Sequence, residues 1–354
     1  MSLVGAVPEA VASPGMTPPP APWICAYGEN AWQVPARLVH DETDDPLAIS
    51  RFSLVEGSAP SYNNLVELDR QLQTITHMAA AFDIAGGPVP ALAVGTKHGN
   101  ACGAAAAASP VEATRLMVTG DTRAIFGGCV MLGFAVDAEV ADALVNHASP
   151  SRRLLDTVAA ATFTDEALEL LARKHGKCRV LANPALGGLD RSSLDTVPRR
   201  RQVRGGALEQ PNYTFVLDLA GPDLQRFGTL SPDQERDLLL AWAVGSTSNS
   251  NTVTIVCGGQ LLGNGVGQQD RVGGCELAVK RARDAGHDIG GAVAYSDSFF
   301  PFPDAPRVLV DAGVSAVFCT SGSVRDEVVL QAMVDAGVSV AQLPDRQARG
   351  FFGH

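Results

Sequence analysis

Aromatic side chains are scarce in this sequence, at 6% of residues. No apolar run approaches the roughly 20 residues that span a bilayer. With few rings beside 36 glycines and 22 prolines, the composition suits a turn-rich α/β protein better than a helical bundle or coiled coil. Positive charge is also short: 27 Lys and Arg against 38 Asp and Glu leave a net charge of -11. That excludes general nucleic-acid binding, which needs a basic face to release counterions, so any anionic ligand must be held by a local Lys/Arg cluster. There is no C-x-x-C pair. The seven cysteines (Cys25, Cys102, Cys129, Cys178, Cys257, Cys275, Cys319) lie in apolar or glycine-rich stretches and are expected as reduced, buried thiols. Residues 1–23 lack a basic region followed by an apolar one, so no secretory signal is read there. The expected setting is cytoplasmic, with neither membrane nor nucleic acid as a partner.

What is present is enough for a sizeable core: 354 residues, 46% of them hydrophobic, allow one large core or two to three smaller ones. Residues 1–22 are Pro-rich and read as a disordered or polyproline-like lead-in. Over residues 63–83, Leu65, Leu68, Leu72, Ile75 and Met78 are spaced by threes and fours, which predicts a helix. A short apolar strand over 89–94 then delivers Lys97 and His98 at its carboxyl end. Ser109-Pro110-Val111-Glu112 and Ser231-Pro232-Asp233-Gln234 each combine a cap, a first-turn proline and a box-closing residue, and each predicts a helix start. Between them strands are expected over 124–136, 178–181 and 213–219, a helix over 165–174, and a basic loop over 199–204. From residue 252 strands (252–257, 291–295, 314–319, 338–343) alternate with helices (270–284, 306–312, 325–336). The expectation is α/β, with parallel or mostly parallel sheets covered on both faces and a lobe boundary near 185–210.

In an open α/β sheet ligands gather at the carboxyl ends of strands, which singles out Lys97-His98. Histidine is the usual general base near neutral pH, and a neighbouring ammonium favours its neutral form; the same pair also suits a solvated turn. Gly263-Asn264-Gly265-Val266-Gly267 ahead of a helix resembles an anion-cradling loop, although the third glycine is one place early for a dinucleotide fingerprint. Asn249, Ser250 and Asn251 have the composition of a helix terminator. Phe299, Phe300 and Phe302 follow a strand and suit either an apolar floor for a flat heterocycle or plain core packing. Asp304 suits a helix cap.

Taken in order, these segments resemble the AICAR transformylase domain of the bifunctional purine-biosynthesis family, from about Tyr27 to His354. Tyr27-Gly28-Glu29-Asn30 with Gln33 is similar to YGENPHQ, Ser61 to Asn64 to LSYNN, and Lys97 to Gly103 to KHTNPCG. Phe126-Gly127-Gly128 resembles SAFGG, Arg201 to Gly206 resembles RQVRGG, and GNGVGQQDR ending at Arg271 resembles GIGAGQQSR. SDSFFPFPD (296–304) resembles SDAFFPFRD, and Ser321-Gly322-Ser323 with Arg325-Asp326 resembles GGSIRD.

The resemblance implies two cytidine-deaminase-like α/β/α lobes with mixed, mostly parallel sheets. Residues 23–200 would form the lobe carrying the catalytic Lys-His, and 201–354 the lobe with nucleotide and folate contacts. It implies transfer of a formyl group from 10-formyltetrahydrofolate, as co-substrate, to the 5-amino group of AICAR or a closely related amino-heterocycle nucleotide. On this pattern Lys97, His98 and Asn251 are catalytic. Tyr27, Gly127, Asp156, Arg271, Arg349 and His354 contact the acceptor, and Phe299, Phe300 and Asp304 the folate. A potassium ion near Ser250 and Asp297 is a further family feature. The family also implies a homodimer with active sites at its interface and a separate cyclohydrolase acting downstream. A zinc deaminase is the rival from the same fold, but P-C-x-x-C does not occur in the sequence, and the zinc ligand set is incomplete without it.

The sequence departs from the family around the acceptor. Ala26 stands where the family has an arginine for the nucleotide phosphate, and Asn30-Ala31-Trp32-Gln33 replaces N-P-H-Q. Ala101 replaces a proline, and one extra residue separates Arg349 from His354. These departures point to a paralogue formylating a different amine in specialised metabolism as the alternative; a non-catalytic nucleotide- or folate-binding homologue is a third.

Overall fold

The computed structural model describes residues 23–39 and 42–353. The lead-in expected over 1–22 and the candidate His354 lie outside the described residues. Strands β1 (Trp23–Cys25) and β2 (Ala36–Leu38) pair antiparallel, and β3 (Ser53–Glu56) follows. Ser61 opens α1 (Tyr62–Ile84) through a capping box with Asn64, so the first-turn N–H groups are satisfied. The predicted apolar stripe is buried at Leu65, Leu68, Ile75 and Met78. Next come a hairpin of β4 (Ala91–Lys97) and β5 (Asn100–Ala107), then α2 (Pro110–Thr119), capped by Ser109 as its sequence predicts. The lobe continues through β6 (Cys129–Leu132), α3 (Ala138–Asn146), β7 (Thr157–Ala160), α4 (Asp165–Leu171) and β8 (Arg179–Ala182).

A two-stranded arm, β9 (Arg199–Val203) with β10 (Gly206–Gln210), and the short β11 (Gln225–Phe227) lead to a second series. It runs α5 (Pro232–Ser246), β12 (Val253–Cys257), β13 (Gln260–Gly265), α6 (Arg271–Asp284), β14 (Val293–Ser296), α7 (Asp304–Ala312), β15 (Ala316–Ser321), α8 (Asp326–Asp335) and β16 (Ser339–Pro344), with α9 (Asp345–Ala348) after it. Helix, hairpin, helix, then three strands separated by two helices occur in the same order in both halves. The chain is thus a structural duplication of one α/β/α lobe.

The two lobes share one 12-stranded sheet, ordered β11-β16-β15-β14-β12-β13-β5-β4-β6-β7-β8-β3. Its midpoint is the antiparallel joint of β13 with β5, at Gln260↔Ala105, and from there each half repeats the same order outward. The sheet is mixed, as expected. Parallel pairing is confined to β6-β7-β8 and β14-β15-β16, while the hairpins at the centre and both edge strands are antiparallel. The mostly parallel expectation therefore holds for the flanks alone. One face is covered by α1 and α5, side by side across the joint; the other is covered by α2, α3 and α4 in the first lobe and α6, α7 and α8 in the second.

Four local expectations are corrected. The glycine-rich stretch at 263–265 is strand, not loop, because α6 lies directly on it: a Cβ on Gly263 or Gly265 would sit 2.2 Å from the Ala278 carbonyl oxygen or 2.0 Å from that of Gly274. In β5, Gly103 plays the same part against the Met117 carbonyl of α2, at 2.1 Å. These glycines serve close helix–sheet approach rather than anion binding. Residues 199–204, expected as a loop, form β9 and its turn, where Gly205 has φ 82, so a lobe boundary at 200/201 falls inside β9. Residues 213–219 are irregular, anchored by Leu217 in the core. The helix after Phe302 is capped at Pro303, and Asp304 is its first residue.

His77 of α1 is buried where the lobes meet, stacked on Tyr213 at 5.4 Å and tilted against Trp242 at 5.8 Å. Burial pushes its pKa down to about 4, outweighing the hydrogen bond of Nδ1 to the Gln73 carbonyl, 2.7 Å. The unfolded chain therefore binds a proton here between pH 6.5 and 4 that the folded chain refuses, and stability falls as pH falls through that window. The expected loss from this one group between pH 8 and 5 is about 2 kcal/mol. Urea unfolding at both pH values should show it, and His77→Phe should flatten that part of the profile.

Candidate active site

The hairpin joining β4 to β5 is the centre of the site. Lys97 pairs with Asn100 across a two-residue turn, His98-Gly99, in which both residues have positive φ, 56 and 72. This is the turn whose twist matches paired strands. Glycine takes the conformation freely, whereas histidine is enriched there but disfavoured relative to extended backbone. The turn presents an exposed His98 at the rim of a cleft of about 450 Å³. Lys97 turns the other way and donates from Nζ to the Phe126 carbonyl, 2.8 Å, beside the glycines of the next wall.

That wall is the loop before β6. Gly127, φ 70, donates its N–H to the Leu154 carbonyl at 2.6 Å, and the Asp156 N–H donates to Gly128 at 2.9 Å. Nothing lies within 4 Å of a Cβ placed on Gly127, so its need is for the left-handed backbone rather than for space. Asp156 faces the Arg173 guanidinium at 3.5 Å, and Arg179 completes the floor, its Nε buried without a partner. Tyr27, Ser61, Asn63, Asn64, Glu67 and Arg70 close the side towards α1, and Asn249 with Gly353 closes the side towards the second lobe. Cys129 also lines the cleft, but burial pushes its thiol up to about 12, so it is neutral and no nucleophile at physiological pH.

Five expected residues, Tyr27, Lys97, His98, Gly127 and Asp156, thus line one cleft. Those of the second lobe do not. Asn251 is two residues beyond Asn249, with its Nδ2 donating to the Gln268 carbonyl at 2.9 Å. Arg271 is ion-paired to the fully buried Asp297, whose other oxygen accepts the Thr252 N–H at 3.0 Å. Arg349 pairs with Asp345 at 2.8 Å and donates to Ser298 at 3.3 Å. Phe300 is packed in the second-lobe core with Leu309 and Val317, so the core alternative describes its position; Phe299 is half-buried and Asp304 exposed. At Asp297, near which the resemblance implies a potassium ion, one carboxylate oxygen meets the Arg271 guanidinium and the other the Thr252 N–H. No group of three or more His, Cys, Asp or Glu side chains among the described residues is placed to hold a metal.

The residues missed from sequence are Glu67, Arg70, Arg173 and Arg179. Glu67 and Arg70 stand three apart on α1, a spacing that puts them on one face, and that pairing was the available signal.

These features define a duplicated α/β/α protein with a polar cleft where the two lobes meet and a Lys-His hairpin turn at its rim. The chain belongs to the AICARFT/IMPCHase bienzyme family, whose model matches residues 24–281. It is 33% identical over 319 residues to the bifunctional purine biosynthesis protein PurH of Neisseria gonorrhoeae, a match covering 89% of this chain and 56% of that protein. It is 32% identical to PurH of Neisseria meningitidis, covering 91% and 57%, and 33% identical to that of Cutibacterium acnes, covering 88% and 55%. The chain therefore spans little more than half the length of these relatives. Among solved structures, dCMP deaminase from the cyanophage S-TIM5 matches with a TM-score of 0.24 and 18% identity, over 32% of this chain and 99% of that one. No helix among the described residues is long and apolar enough to cross a membrane.

Proposed function

We propose that this protein is a 10-formyltetrahydrofolate-dependent formyltransferase acting on the 5-amino group of AICAR or of a closely related amino-heterocycle nucleotide, in the cytoplasm. The observation that carries the proposal is the pair Lys97 and His98 at the rim of a cleft shared with Tyr27, Gly127 and Asp156, all within the stretch matched by the family model. The folate co-substrate supplies the activated formyl carbon. His98 accepts the amine proton as the nitrogen attacks that carbon, and the proton then passes to the departing folate nitrogen. Lys97, held at the Phe126 carbonyl, supplies positive charge where negative charge develops on the formyl oxygen. On this reading Asp156 holds the acceptor's nucleotide part, and Gly127 lets the acceptor approach the backbone closely.

A paralogue acting on a different amine is the second reading. Position 26, next to the cleft residue Tyr27, is an exposed alanine, which removes a guanidinium that the family pattern places beside the nucleotide phosphate. A homodimer belongs to the proposal as well: Arg349, Phe299 and Asp304 lie outside the cleft, and a second copy would be the means of bringing such groups to it. Ring closure of the formylated product would follow in a separate active site, a cyclohydrolase. The test is incubation with 10-formyltetrahydrofolate and AICAR, following tetrahydrofolate release by absorbance. Turnover supports AICAR as acceptor. Folate binding without turnover moves the search to other aminated heterocycles, and binding of neither overturns the proposal.

A further inference from the structure

We propose that Glu67 and Arg70 are positioning residues for His98, a pair on α1 that clamps the hairpin turn and ties it to the second lobe; this rests on the function proposed above. The Glu67 carboxylate accepts from the Thr96 hydroxyl at 2.6 Å and from the Gly99 N–H at 2.8 Å. Arg70 Nε donates to the Gly99 carbonyl at 2.8 Å. The residue directly after His98 is therefore held at both of its backbone polar groups, and the residue before Lys97 is held by its side chain. His98 needs such support because its left-handed backbone is one that a β-carbon disfavours. Each Glu67 oxygen is occupied by a donor of the protein itself, so its part is to hold the turn rather than to meet the reacting groups.

Arg70 carries the restraint across the joint between the lobes. Its Nη2 donates to the Thr247 carbonyl at 3.0 Å and to Asn249 Oδ1 at 3.4 Å. The Asn249 N–H in turn donates to Asn100 Oδ1 at 3.0 Å, and Asn100 Nδ2 donates to the His98 carbonyl at 3.2 Å. The path from the His98 turn through Arg70 and Asn249 back to His98 is closed. The guanidinium also lies over the Phe352 ring, 4.7 Å from its centroid, which brings the carboxyl-terminal segment onto the same residue. Arg70 is only 8% exposed, and its Nε and Nη2 donors are met inside the protein. Lysine, with one compact donor head, cannot reproduce this set.

The experiment compares Glu67→Gln, Arg70→Lys and Arg70→Met with the wild-type chain. It measures kcat and KM for formyl transfer, the thermal midpoint, hydrogen exchange at the Gly99 amide, and the His98 ring resonance, assigned by its loss in His98→Ala. Misplacement of a reacting group by about 1 Å costs on the order of 10²-fold in rate. The expected result is a fall in kcat of that order with KM for the formyl donor little changed, faster Gly99 exchange in Glu67→Gln, and a shifted, broadened His98 resonance in all three. Should Arg70→Met fail to fold, the nearly isosteric Glu67→Gln decides. Wild-type kcat together with an unmoved His98 resonance would overturn the positioning role. If the wild-type chain itself does not turn over AICAR, the function proposal fails separately. The exchange and resonance measurements then still decide this one: movement supports it and no movement overturns it.

Discussion

Alanine in place of His98 is expected to lower kcat for formyl transfer by about 10²- to 10⁴-fold, the range that a positioned general base supplies. The folded state should be little affected. His98 is exposed and its ring makes no hydrogen bond among the described residues, so no core contact or buried partner is lost with it. The one local cost is conformational, because the residue keeps φ 56 and alanine is less at ease there than histidine or asparagine. His98→Asn is therefore the cleaner variant: it tolerates the turn, retains polarity and removes the base. Initial rates for both, set beside their thermal midpoints, separate chemistry from folding. Near-normal turnover in His98→Asn would remove histidine as the base. Intact biological function with the base gone would favour the homologue that binds nucleotide or folate without catalysis.

The first lobe's half of the site was readable because its chemistry is contiguous. Lys97 and His98 end a strand, and the strand end is where an α/β sheet collects ligands. What sequence reasoning misjudged is the shape of that end. His98-Gly99 and Gly258-Gly259 are the same two-residue turn in the two lobes, with φ 56 and 72 in one and 60 and 74 in the other. Each joins a hairpin whose second strand, β5 or β13, is not among the expected strands. The Gly-Gly pair is a hairpin signal in its own right, but β5 and β13 carry none of the apolar–polar alternation that marks a strand. Asn100 to Ala107 is mostly small residues buried on both faces, because α2 and the opposite layer approach it closely. Sheets buried on both sides lose the alternation that a half-solvated strand would show.

The misses around the cleft have a different cause. Glu67 and Arg70 sit on a helix that announces itself by its apolar stripe, and nothing in that stripe says that the neighbouring face meets a hairpin turn 29 to 32 residues later. The partners Thr247 and Asn249 are 177 and 179 residues from Arg70, a separation that only the folded chain closes. Phe300 shows the reverse case. An aromatic run after a strand has the composition of a ring-binding floor, and the fold sends one ring into the core while leaving Phe302 exposed, under the Arg325 guanidinium at 4.7 Å. Residue type alone does not distinguish the two destinations.

Removing the Asp297 carboxylate should be the most destabilising single change at the second lobe's ligand-end loops. Asp297 is fully buried, and the Arg271 side chain paired with it is 11% exposed. Asp297→Ala would leave a guanidinium without its counter-charge and the Thr252 N–H without its acceptor. Breaking a buried pair from one side costs about 3–5 kcal/mol, readable as a shift in urea midpoint at constant slope. The double variant Arg271→Met/Asp297→Leu removes both charges and should recover much of that loss, since the desolvation of two ions is then no longer opposed to folding. The comparison also decides what Arg271 is for. A large cost in Asp297→Ala, mostly recovered in the double variant, identifies the guanidinium as part of the lobe's interior wiring. If Asp297→Ala instead stays within about 1 kcal/mol of wild type, as an exposed pair would, Arg271 is solvated and free to meet an anion. Arg271→Met should then raise KM for the nucleotide acceptor while leaving stability unchanged.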